Sequence, residues 1–425
     1  MRYTSLTTQF WLNIECRPQD RFLRTIDIAS RHMTQAIFDN IEAIGDYLSS
    51  QSQEAESLGR LPDETAKKLK ETGVMRMLQP KEYGGFETHP NEFYRAVMAI
   101  AEKDPATGWI AGVVGVHPWE TAVNDDRLQK EIWGEDNTTL MASPYAPMGM
   151  AIPTDGGYVL NGRWSFSSGT DHCDWLVIGA LVGDSEGKPA VPFQSLHVML
   201  PRSDYEIIED SWNVVGLQGT GSKDVVVNGA FIPDHRAIDA AKVIDGTAYK
   251  ESGRDEPLYR MPWSAVFPCA IQSAVLGICQ GALNAALEYQ KNRVGFGGAT
   301  AEDPYMMSAI GEAAAELRAS KATLFYNINE MFDIVSRGED VPFDMRAAGR
   351  RDQVRGAWRA VRAVNELFTR CGGNSLRTDK PMHRFWRDAN AGLNHAAFTT
   401  GSIYHASAAL SMDLMPEEVI RKSMI

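Results

Sequence analysis

The sequence has few cysteines, and they do not follow the spacing of a disulfide framework or a structural zinc site. The five cysteines (Cys16, Cys173, Cys269, Cys279 and Cys371) are scattered over 425 residues and never form a CxxC pair. None of the nine histidines lies in an HExxH motif, so we expect no metal site. This cysteine usage is typical of a reducing cytoplasm, where we expect the protein to reside.

The chain also lacks a basic segment and a long apolar run. Its net charge of −13 disfavours nucleic acids and anionic membrane surfaces as partners. The arginines of 346–370 recur at helical spacing, which predicts a solvated or subunit-facing helix surface. No window approaches the apolar length of a membrane span, and the first twenty residues show no apolar core of a signal peptide. We therefore expect no membrane association.

Several catalytic motifs are absent as well. There is no GxSxG elbow, no P-loop and no cysteine in a nucleophile's context, so hydrolase and kinase functions are unsupported. Gly216, Gly219 and Gly221 do not have dinucleotide-fingerprint spacing, and a β-rich segment follows them instead of a helix. Because the chain shows no NAD-binding unit, a redox reaction here would need an outside electron source.

Apolar periodicity divides the chain into three regions and predicts a mainly α fold with a central β domain. Residues 1–140 have helical spacing, 141–240 contain short β-branched runs between turn signals, and 241–425 are helical again. Four long, alanine-rich helices predict an antiparallel bundle in the last region: Ala265–Arg293, Ser308–Ser336, Asp344–Cys371 and Met382–Met412. The small residues of the bundle suit an internal core and a subunit interface equally.

Two β-rich stretches are each interrupted by a cluster of small hydroxyl residues and glycines. The first, at 158–175, contains SerPheSerSerGlyThr, and the second, at 215–226, contains GlyLeuGlnGlyThrGlySer. Such clusters place hydroxyls and backbone N–H groups on loops that a planar or anionic ligand can approach closely.

Two histidines interrupt apolar or small-residue runs. His117 lies in GlyValValGlyValHisProTrp, and His395 lies in AsnAlaGlyLeuAsnHisAlaAla, which the pattern places on a helix. An imidazole titrates near neutral pH and can move a proton, although a histidine packed in the core fits each pattern too. For Ser143, Ser167, Ser168 and Trp164 the alternative is turn chemistry and a packed indole, and Arg293 also fits a cation at a helix C-terminus.

Four motifs stand out along the chain: TyrValLeuAsnGlyArgTrpSerPheSerSerGly (158–169), GlyLeuGlnGlyThrGlySerLysAspValValVal (216–227), AlaPheIleProAspHisArg (230–236) and ArgPheTrpArgAspAlaAsnAlaGly (384–392). Together with the order of the three regions, they resemble the acyl-CoA dehydrogenase superfamily over about residues 45–400. More narrowly, the chain resembles the oxygenase components of two-component flavin-dependent phenol hydroxylases, which include 4-hydroxyphenylacetate 3-hydroxylases and steroid-phenol hydroxylases. Segments 61–65, 78–85, 143–149 and 350–355 strengthen the steroid-phenol branch.

This resemblance implies an N-terminal helical domain, a β-barrel-like middle domain and a C-terminal four-helix bundle. It also implies a homotetramer that takes reduced FMN or FAD from a separate NAD(P)H:flavin reductase. Molecular oxygen and the flavin would form a C4a-hydroperoxide, which hydroxylates a small aromatic, phenolic substrate. The residues after the ArgAspAla motif include His395 and no acid, whereas acyl-CoA dehydrogenases carry a glutamate base near this motif.

The resemblance further implies roles for individual residues. His395 and Ser168 would act beside the oxygen adduct, and His117 would take the phenol proton. The implied flavin-binding residues are Ser143, Trp164, Ser167, Ser168, Gly169, Arg293, Gly372 and Gly373, with Arg293 reaching across a subunit boundary. Candidates for the substrate pocket are Trp119, Trp263, Phe267 and Phe398.

Two other enzymatic functions stay open at this stage, because they use the same fold. One is an N- or S-oxygenase acting on an amino sugar, an indole or a thiophene. The other is an FAD-dependent acyl-CoA dehydrogenase. A non-enzymatic helical scaffold is disfavoured, since a scaffold has no use for the two hydroxyl-rich loops.

Overall fold

A computed structural model describes residues 28–421 and 425, with the exception of 185, 292, 296 and 297. The first 27 residues of the predicted N-terminal domain, with Cys16, therefore lie outside the described residues. So do Phe296 and Gly297 of the loop that follows Arg293.

Helices form the first region, as its apolar spacing predicts. Their bounds are α1 Ile28–Leu58, α2 Asp63–Glu71, α3 Pro90–Lys103, α4 Pro105–Gly115, α5 His117–Ala122 and α6 Asp126–Trp133. Asp104 separates α3 from α4, and its carboxylate caps α4 by accepting a hydrogen bond from the Thr107 N–H at 2.7 Å. The cap and the proline after it start α4, which packs deep in the core and leads directly to α5.

The middle region forms a mostly antiparallel sheet of eight strands. The strands are β1 Met141–Ala142, β2 Gly149–Thr154, β3 Gly157–Ser167, β4 Trp175–Val182, β5 Ser195–Pro201, β6 Glu206–Ile208, β7 Lys223–Pro233 and β8 Ala237–Asp239. They pair in the order β6-β7-β3-β2-β4-β5-β8, with β1 parallel to β4. Ser167 at the end of β3 lies opposite Lys223 at the start of β7. This register brings the two hydroxyl-rich clusters side by side.

The last region contains a helical bundle whose first three long helices match the predicted ones closely. After the short helices α7 Ala240–Asp245, α8 Tyr249–Ser252 and α9 Pro257–Arg260, the bundle comprises α10 Trp263–Lys291, α11 Pro304–Ser336 and α12 Phe343–Arg370. The two-residue strands β9 Val294–Gly295 and β10 Gly298–Ala299 lie between α10 and α11.

The predicted fourth helix, Met382–Met412, is wrong as a continuous helix. The chain forms α13 Pro381–Gly392, a 3-10 turn Ala396–Phe398, α14 Gly401–Leu410 and a last short helix, α15 Glu418–Arg421. The helix is interrupted between residues 392–394 (GlyLeuAsn) and 399–401 (ThrThrGly). Glycine, asparagine and threonine in these segments have low helix propensity. His395 therefore has an extended backbone and caps the 3-10 turn, with its ring accepting from the Ala397 N–H.

Helix α10 corrects the expectation that no window reaches the apolar length of a membrane span. By length and composition Trp263–Lys291 is apolar enough to cross a bilayer, but 94% of its most apolar window is buried inside the protein. A helix surrounded by other helices is apolar on all sides for that reason. Burial in the bundle thus accounts for its composition.

Substitution of Gly149 by alanine tests the packing around Trp164. A Cβ at Gly149 would lie 2.0 Å from Cζ2 of the buried indole. We expect Gly149→Ala to lower the free energy of unfolding by about 2 kcal/mol, as overpacking of a core does. The matched control is Gly311→Ala on α11, where a new Cβ meets nothing within 4 Å, and which should raise stability slightly. Urea unfolding of both variants measures this, and equal stabilities would contradict it.

Candidate active site

Ser168 lies at the head of a chain of buried hydroxyl groups. Its Oγ is 2.7 Å from Ser222 Oγ, which in turn is 2.7 Å from Thr220 Oγ1. Thr220 Oγ1 donates to the Leu217 carbonyl at 2.7 Å, and the Trp109 indole N–H reaches Ser168 Oγ at 3.2 Å. We refer to Ser168, Ser222 and Thr220 as the hydroxyl chain.

The direction of the hydroxyl chain is fixed at its far end. A carbonyl only accepts, so Thr220 gives its single hydrogen to Leu217, Ser222 gives its hydrogen to Thr220, and Ser168 gives its hydrogen to Ser222. Ser168 has thus used its donor and accepts one bond from Trp109. What remains is a lone pair, so Ser168 offers an acceptor to a ligand.

Asp388 of the ArgAspAla motif holds the loop that carries the hydroxyl chain. Its Oδ1 accepts from the Leu217 N–H at 2.8 Å and from Arg387 Nε at 3.0 Å. Leu217 has a φ of 54°, a left-handed conformation that non-glycine residues rarely adopt. Burial raises the pKa of Asp388 to about 6, against the opposing effect of Arg387. A buried carboxylate from α13 therefore determines the shape of a β-domain loop.

Ring contacts connect Ser168 with both predicted catalytic histidines. The Trp109 ring that binds Ser168 lies 5.8 Å from the His395 ring, edge to face. Phe267 lies 6.1 Å from His395 and 6.2 Å from His117, against which it stacks. Trp263 stacks on Phe267 at 4.8 Å, and Tyr145 meets the Phe267 ring edge to face at 4.9 Å. We call these six rings the aromatic cluster: Trp109, His117, Tyr145, Trp263, Phe267 and His395.

His117 begins α5 and is fully buried, with 1% of its surface exposed. Burial, with a smaller effect of His197, lowers the pKa of His117 to about 3, so the imidazole is neutral at physiological pH. Its Nδ1 lies 3.0 Å from the Tyr145 hydroxyl. That hydroxyl donates to Glu120 Oε2 at 2.5 Å, and Glu120 Oε1 lies 2.7 Å from His197 Nδ1.

His395 is half-buried and also neutral. Desolvation by the surrounding side chains, followed by the nearby Arg350 cation, lowers the pKa of His395 to about 4. Arg350 is itself buried and donates to the Ala397 carbonyl at 3.1 Å, which ties the His395 turn to α12. Gln353, one turn further along α12, donates to the Pro268 carbonyl at 3.1 Å and so contacts α10 beside Phe267.

Ser167, Gly169 and Ser143 are predicted flavin-binding residues of the β domain, and the structure shows the surroundings of each. Ser167 and Thr170, on either side of Ser168, are buried and their hydroxyls have no protein partner. Gly169 has a φ of 72° and its N–H donates to the Thr220 carbonyl at 2.9 Å. Ser143 is half-buried directly after β1.

Trp164 is a packed indole in the described structure. It has no exposed surface, and its Nε1 donates to the Gly179 carbonyl at 2.7 Å. Gly179 in turn donates to the Pro144 carbonyl, and its missing Cβ makes room for the backbone of Tyr145. Trp164 therefore supports the segment that carries Tyr145, and its predicted contact with flavin stays a prediction.

Arg293, Gly372 and Gly373 lie at the opposite end of the bundle. Arg293 Nη1 donates to the Cys371 carbonyl at 2.9 Å, and a Cβ at Gly372 would lie 3.1 Å from Arg293 Nη2. Helix α10 separates Phe267 from Lys291 by roughly 24 residues, or about 36 Å along its axis. One chain therefore does not bring this group together with Ser168.

The four predicted pocket residues also divide into two groups. Trp263 and Phe267 belong to the aromatic cluster, and Phe398 lies 6.5 Å from the His395 ring. Trp119 packs towards α9, where its Nε1 donates to the Leu258 carbonyl at 2.9 Å. It remains a predicted pocket residue without a contact to the cluster.

Several residues of the site were not identified from the sequence. Thr220 and Ser222 belong to a loop whose composition indicated a ligand site, but their role as a chain depends on a register that composition does not specify. Glu120 had a usable signal, because it follows His117 by three residues on one helix face within an apolar segment. His197 and Trp109 had none.

The described residues contain no group of three or more histidines, cysteines or acids able to hold a metal ion. The four cysteines within the described part of the chain are free and buried, and burial raises the pKa of each thiol.

The two neutral histidines make stability depend on pH. Below the ordinary histidine pKa of 6.5 the unfolded chain takes up protons that His117 and His395 in the folded protein do not. The free energy of unfolding should therefore fall as the pH decreases from 6.5 to 4, by up to about 1.4 kcal/mol per pH unit for each histidine. Asp388, with its raised pKa, offsets part of this loss. Urea unfolding at several pH values should show a shallower slope for His395→Asn, and an unchanged slope would contradict the assignment.

Comparison with known proteins places this site in a family. The N-terminal domain of acyl-CoA dehydrogenases matches residues 39–125, and their C-terminal domain matches residues 269–400. The chain is 52% identical over 92% of its length to a pigment production hydroxylase of Rhodococcus erythropolis, covering 99% of that protein. It is 40% identical over 85% of its length to the oxygenase subunit HsaA, a flavin-dependent monooxygenase of Mycobacterium tuberculosis, covering 92% of that subunit.

A solved structure shows the same architecture. The crystal structure of 3-HSA hydroxylase from Rhodococcus sp. RHA1 superimposes with a TM-score of 0.86 at 37% identity, over 91% of this chain and 98% of that one. The expected fold, mainly α with a central β domain, is confirmed. The chain belongs to the flavin-dependent monooxygenase oxygenase subunits that are built on the acyl-CoA dehydrogenase fold.

Proposed function

We propose that the protein hydroxylates a small phenolic substrate with molecular oxygen and reduced FMN or FAD, which a separate NAD(P)H:flavin reductase supplies. The observation that carries the proposal is the aromatic cluster, in which two neutral histidines flank Phe267 while Ser168 lies behind Trp109. The relatives HsaA and the resorcinol and p-hydroxyphenylacetate hydroxylase oxygenase components support it by their names.

The residues around Ser168 fit a flavin ring. Ser168 offers an acceptor, and Ser167 and Thr170 beside it are buried hydroxyls without a protein partner. These groups suit the N–H and C=O edge of an isoalloxazine, and the acceptor at Ser168 suits the N5–H of the reduced form. When bound, reduced flavin activates oxygen and supplies the electrons for transfer of one oxygen atom to the ring.

On this proposal the protein's own groups orient the reactants and move protons. Ser168 accepts a hydrogen bond from the cofactor, and His395 hydrogen-bonds to the oxygen that is transferred. His117 accepts the phenol proton as the ring is attacked, when the hydroxyl becomes strongly acidic and a weak base suffices. Phe267 and Trp263 exclude water and hold the substrate ring in place.

The arginine-glycine group at the far end of the bundle supports a shared site in a homotetramer. Arg293 follows the end of α10, which lies about 36 Å along the helix from Phe267, and Gly372 lies beside Arg293. This separation is too large for the group to complete the site of its own chain. We propose that they hold the flavin's phosphate or ribityl oxygens at the site of a neighbouring subunit. A cytoplasmic location, in line with the free cysteines, is part of the same proposal.

The acyl-CoA dehydrogenase alternative finds little support in the site. The position after the ArgAspAla motif that faces the aromatic cluster holds His395, an imidazole. Glu120 is a buried carboxylate beside His117, and its two oxygens are occupied by Tyr145 and His197. A carboxylate that is held in this way is poorly placed to remove a substrate proton. N- and S-oxygenation share the cofactor chemistry, so product analysis distinguishes them.

The direct test is oxygen consumption with reduced FMN or FAD in the presence of a panel of phenols, an indole and a thiophene, followed by the product mass. We expect a gain of one oxygen atom on a phenol. Consumption of oxygen without any oxygenated product, or oxygenation of the thiophene or indole alone, would contradict the phenol hydroxylase.

Two variants test the assigned roles of Ser168 and His395. Ser168→Ala should lower the ratio of product formed to reduced flavin consumed about fivefold, since a neutral hydrogen bond contributes about 1 kcal/mol. His395→Ala should lose most of this coupling. Ser203→Ala, an exposed serine whose hydroxyl donates to Asp204, is the matched control and should keep the wild-type ratio. Full coupling in His395→Ala would show that this histidine only packs.

A further inference from the structure

We infer that Glu120, acting through Tyr145, fixes His117 in the tautomer whose Nε2 accepts a hydrogen bond, so that the site selects the neutral, protonated form of a phenol. This rests on the proposed function and specifies the form of the substrate. It makes Glu120 and Tyr145 positioning residues for His117.

The assignment starts at the carboxylate. Oε2 of Glu120 accepts the single hydrogen of the Tyr145 hydroxyl over 2.5 Å. The Tyr145 oxygen can then only accept from His117 Nδ1, which lies 3.0 Å away. Nδ1 therefore carries the proton of the neutral ring, because the other tautomer would set two lone pairs against each other. It follows that Nε2 carries a lone pair.

His197 completes the arrangement from the β domain. It lies on β5 opposite Gly179 of β4, and its Nδ1 donates to Glu120 Oε1 over 2.7 Å. Both carboxylate oxygens thus have donors, although Glu120 is 1% exposed. Burial and the Glu120 charge raise the pKa of Tyr145 well above its usual range, so its hydroxyl keeps the hydrogen that the arrangement needs.

The free end of this arrangement is a ring nitrogen of His117 within the aromatic cluster. His117 Nε2 is buried and has no hydrogen-bond partner in the protein. The same ring stacks against Phe267 at an angle of 17°. A buried acceptor without a partner costs free energy, which a ligand that brings an O–H donor recovers. A phenol supplies that donor, whereas a phenolate presents a second lone pair and a charge.

The first test uses wild-type protein in anaerobic solution with reduced FMN, so that nothing turns over. The probes are 4-nitrophenol and its methyl ether, 4-nitroanisole. We expect 4-nitrophenol to bind about tenfold more tightly than the ether at a pH where it is neutral, as loss of one hydrogen bond to a buried acceptor predicts. When the pH of the solution is raised until the free probe is ionised, the bound probe should still show the spectrum of the neutral phenol. A bound phenolate spectrum, equal affinities or no binding of 4-nitrophenol would overturn the inference.

The second test uses Glu120→Gln, a substitution of nearly equal shape. It should reverse the direction of the hydrogen bonds that connect this side chain, Tyr145 and His117. With His197 donating to the amide oxygen, the amide NH₂ donates to Tyr145, which then donates to His117 Nδ1 and places a hydrogen on Nε2. The bound probe should now show the phenolate spectrum at the same pH. A merely structural role of Glu120 predicts no such reversal, and a bound neutral phenol in this variant would overturn the inference.

Tyr145→Phe should instead bring the affinity ratio of the two probes close to one. Tyr205→Phe is the matched control, because Tyr205 is also buried but donates to the Cys173 carbonyl in the β domain. It should keep the wild-type ratio; an unchanged ratio in Tyr145→Phe would count against the inference. These binding measurements involve no oxygen. If the binding tests give the expected results while no phenol is hydroxylated, the proposed function is wrong and the selectivity for neutral phenol stands. If the binding tests fail while phenols are hydroxylated, the selectivity is wrong and the proposed function stands.

Discussion

The hydrogen bond between the Asp388 carboxylate and the Leu217 N–H connects the helical bundle to the chemistry of the β domain. It stabilises a left-handed backbone at Leu217, whose carbonyl fixes the direction of the hydroxyl chain up to Ser168. The approach is tight, because a Cβ at Gly216 would lie 2.8 Å from the Ala391 side chain. The ion pair with Arg387 and the hydrogen bond from the Leu217 N–H offset the desolvation of this buried carboxylate, whereas its removal would leave the loop without an anchor. The acceptor character of Ser168 thus originates on α13, in a different domain.

The second constraint on the site is that burial keeps both of its imidazoles neutral. His117 is enclosed by apolar rings beside another histidine, and His395 lies near the buried Arg350 cation. Neutral imidazoles can donate and accept hydrogen bonds without adding a charge to a dry site, where an uncompensated charge is costly. Of the two buried acids described for the site, Glu120 lies behind His117 and contacts its partner Tyr145, and Asp388 holds the loop of the hydroxyl chain. The separation of charge from the aromatic cluster suits a reaction on an electron-rich ring.

Sequence patterns predicted the helical and β regions, three of the bundle helices and the two hydroxyl-rich loops, because each depends on local periodicity or composition. They also identified His117, His395 and Ser168, which the structure connects through Trp109 and Phe267. They failed at the fourth bundle helix, where low local propensity and the caps of the next turn outweigh an apolar stripe. They also missed partners supplied from distant positions, since the contact of His197 with Glu120 spans 77 residues and follows from sheet register. Long-range pairing of that kind leaves no local signal.

Arg350 shows why the position of His395 could not be read from its own segment. This arginine is buried on α12, donates to the carbonyl two residues after His395, and lies one turn from Gln353, which contacts Pro268. It therefore fixes the His395 turn relative to Phe267 and lowers the pKa of the imidazole at the same time. A buried arginine is costly unless its geometry is satisfied, so its presence beside the His395 turn is explained better by positioning than by stability. The same cation adds to desolvation in disfavouring a protonated His395, so a residue on α12 helps to keep this hydrogen-bonding ring neutral.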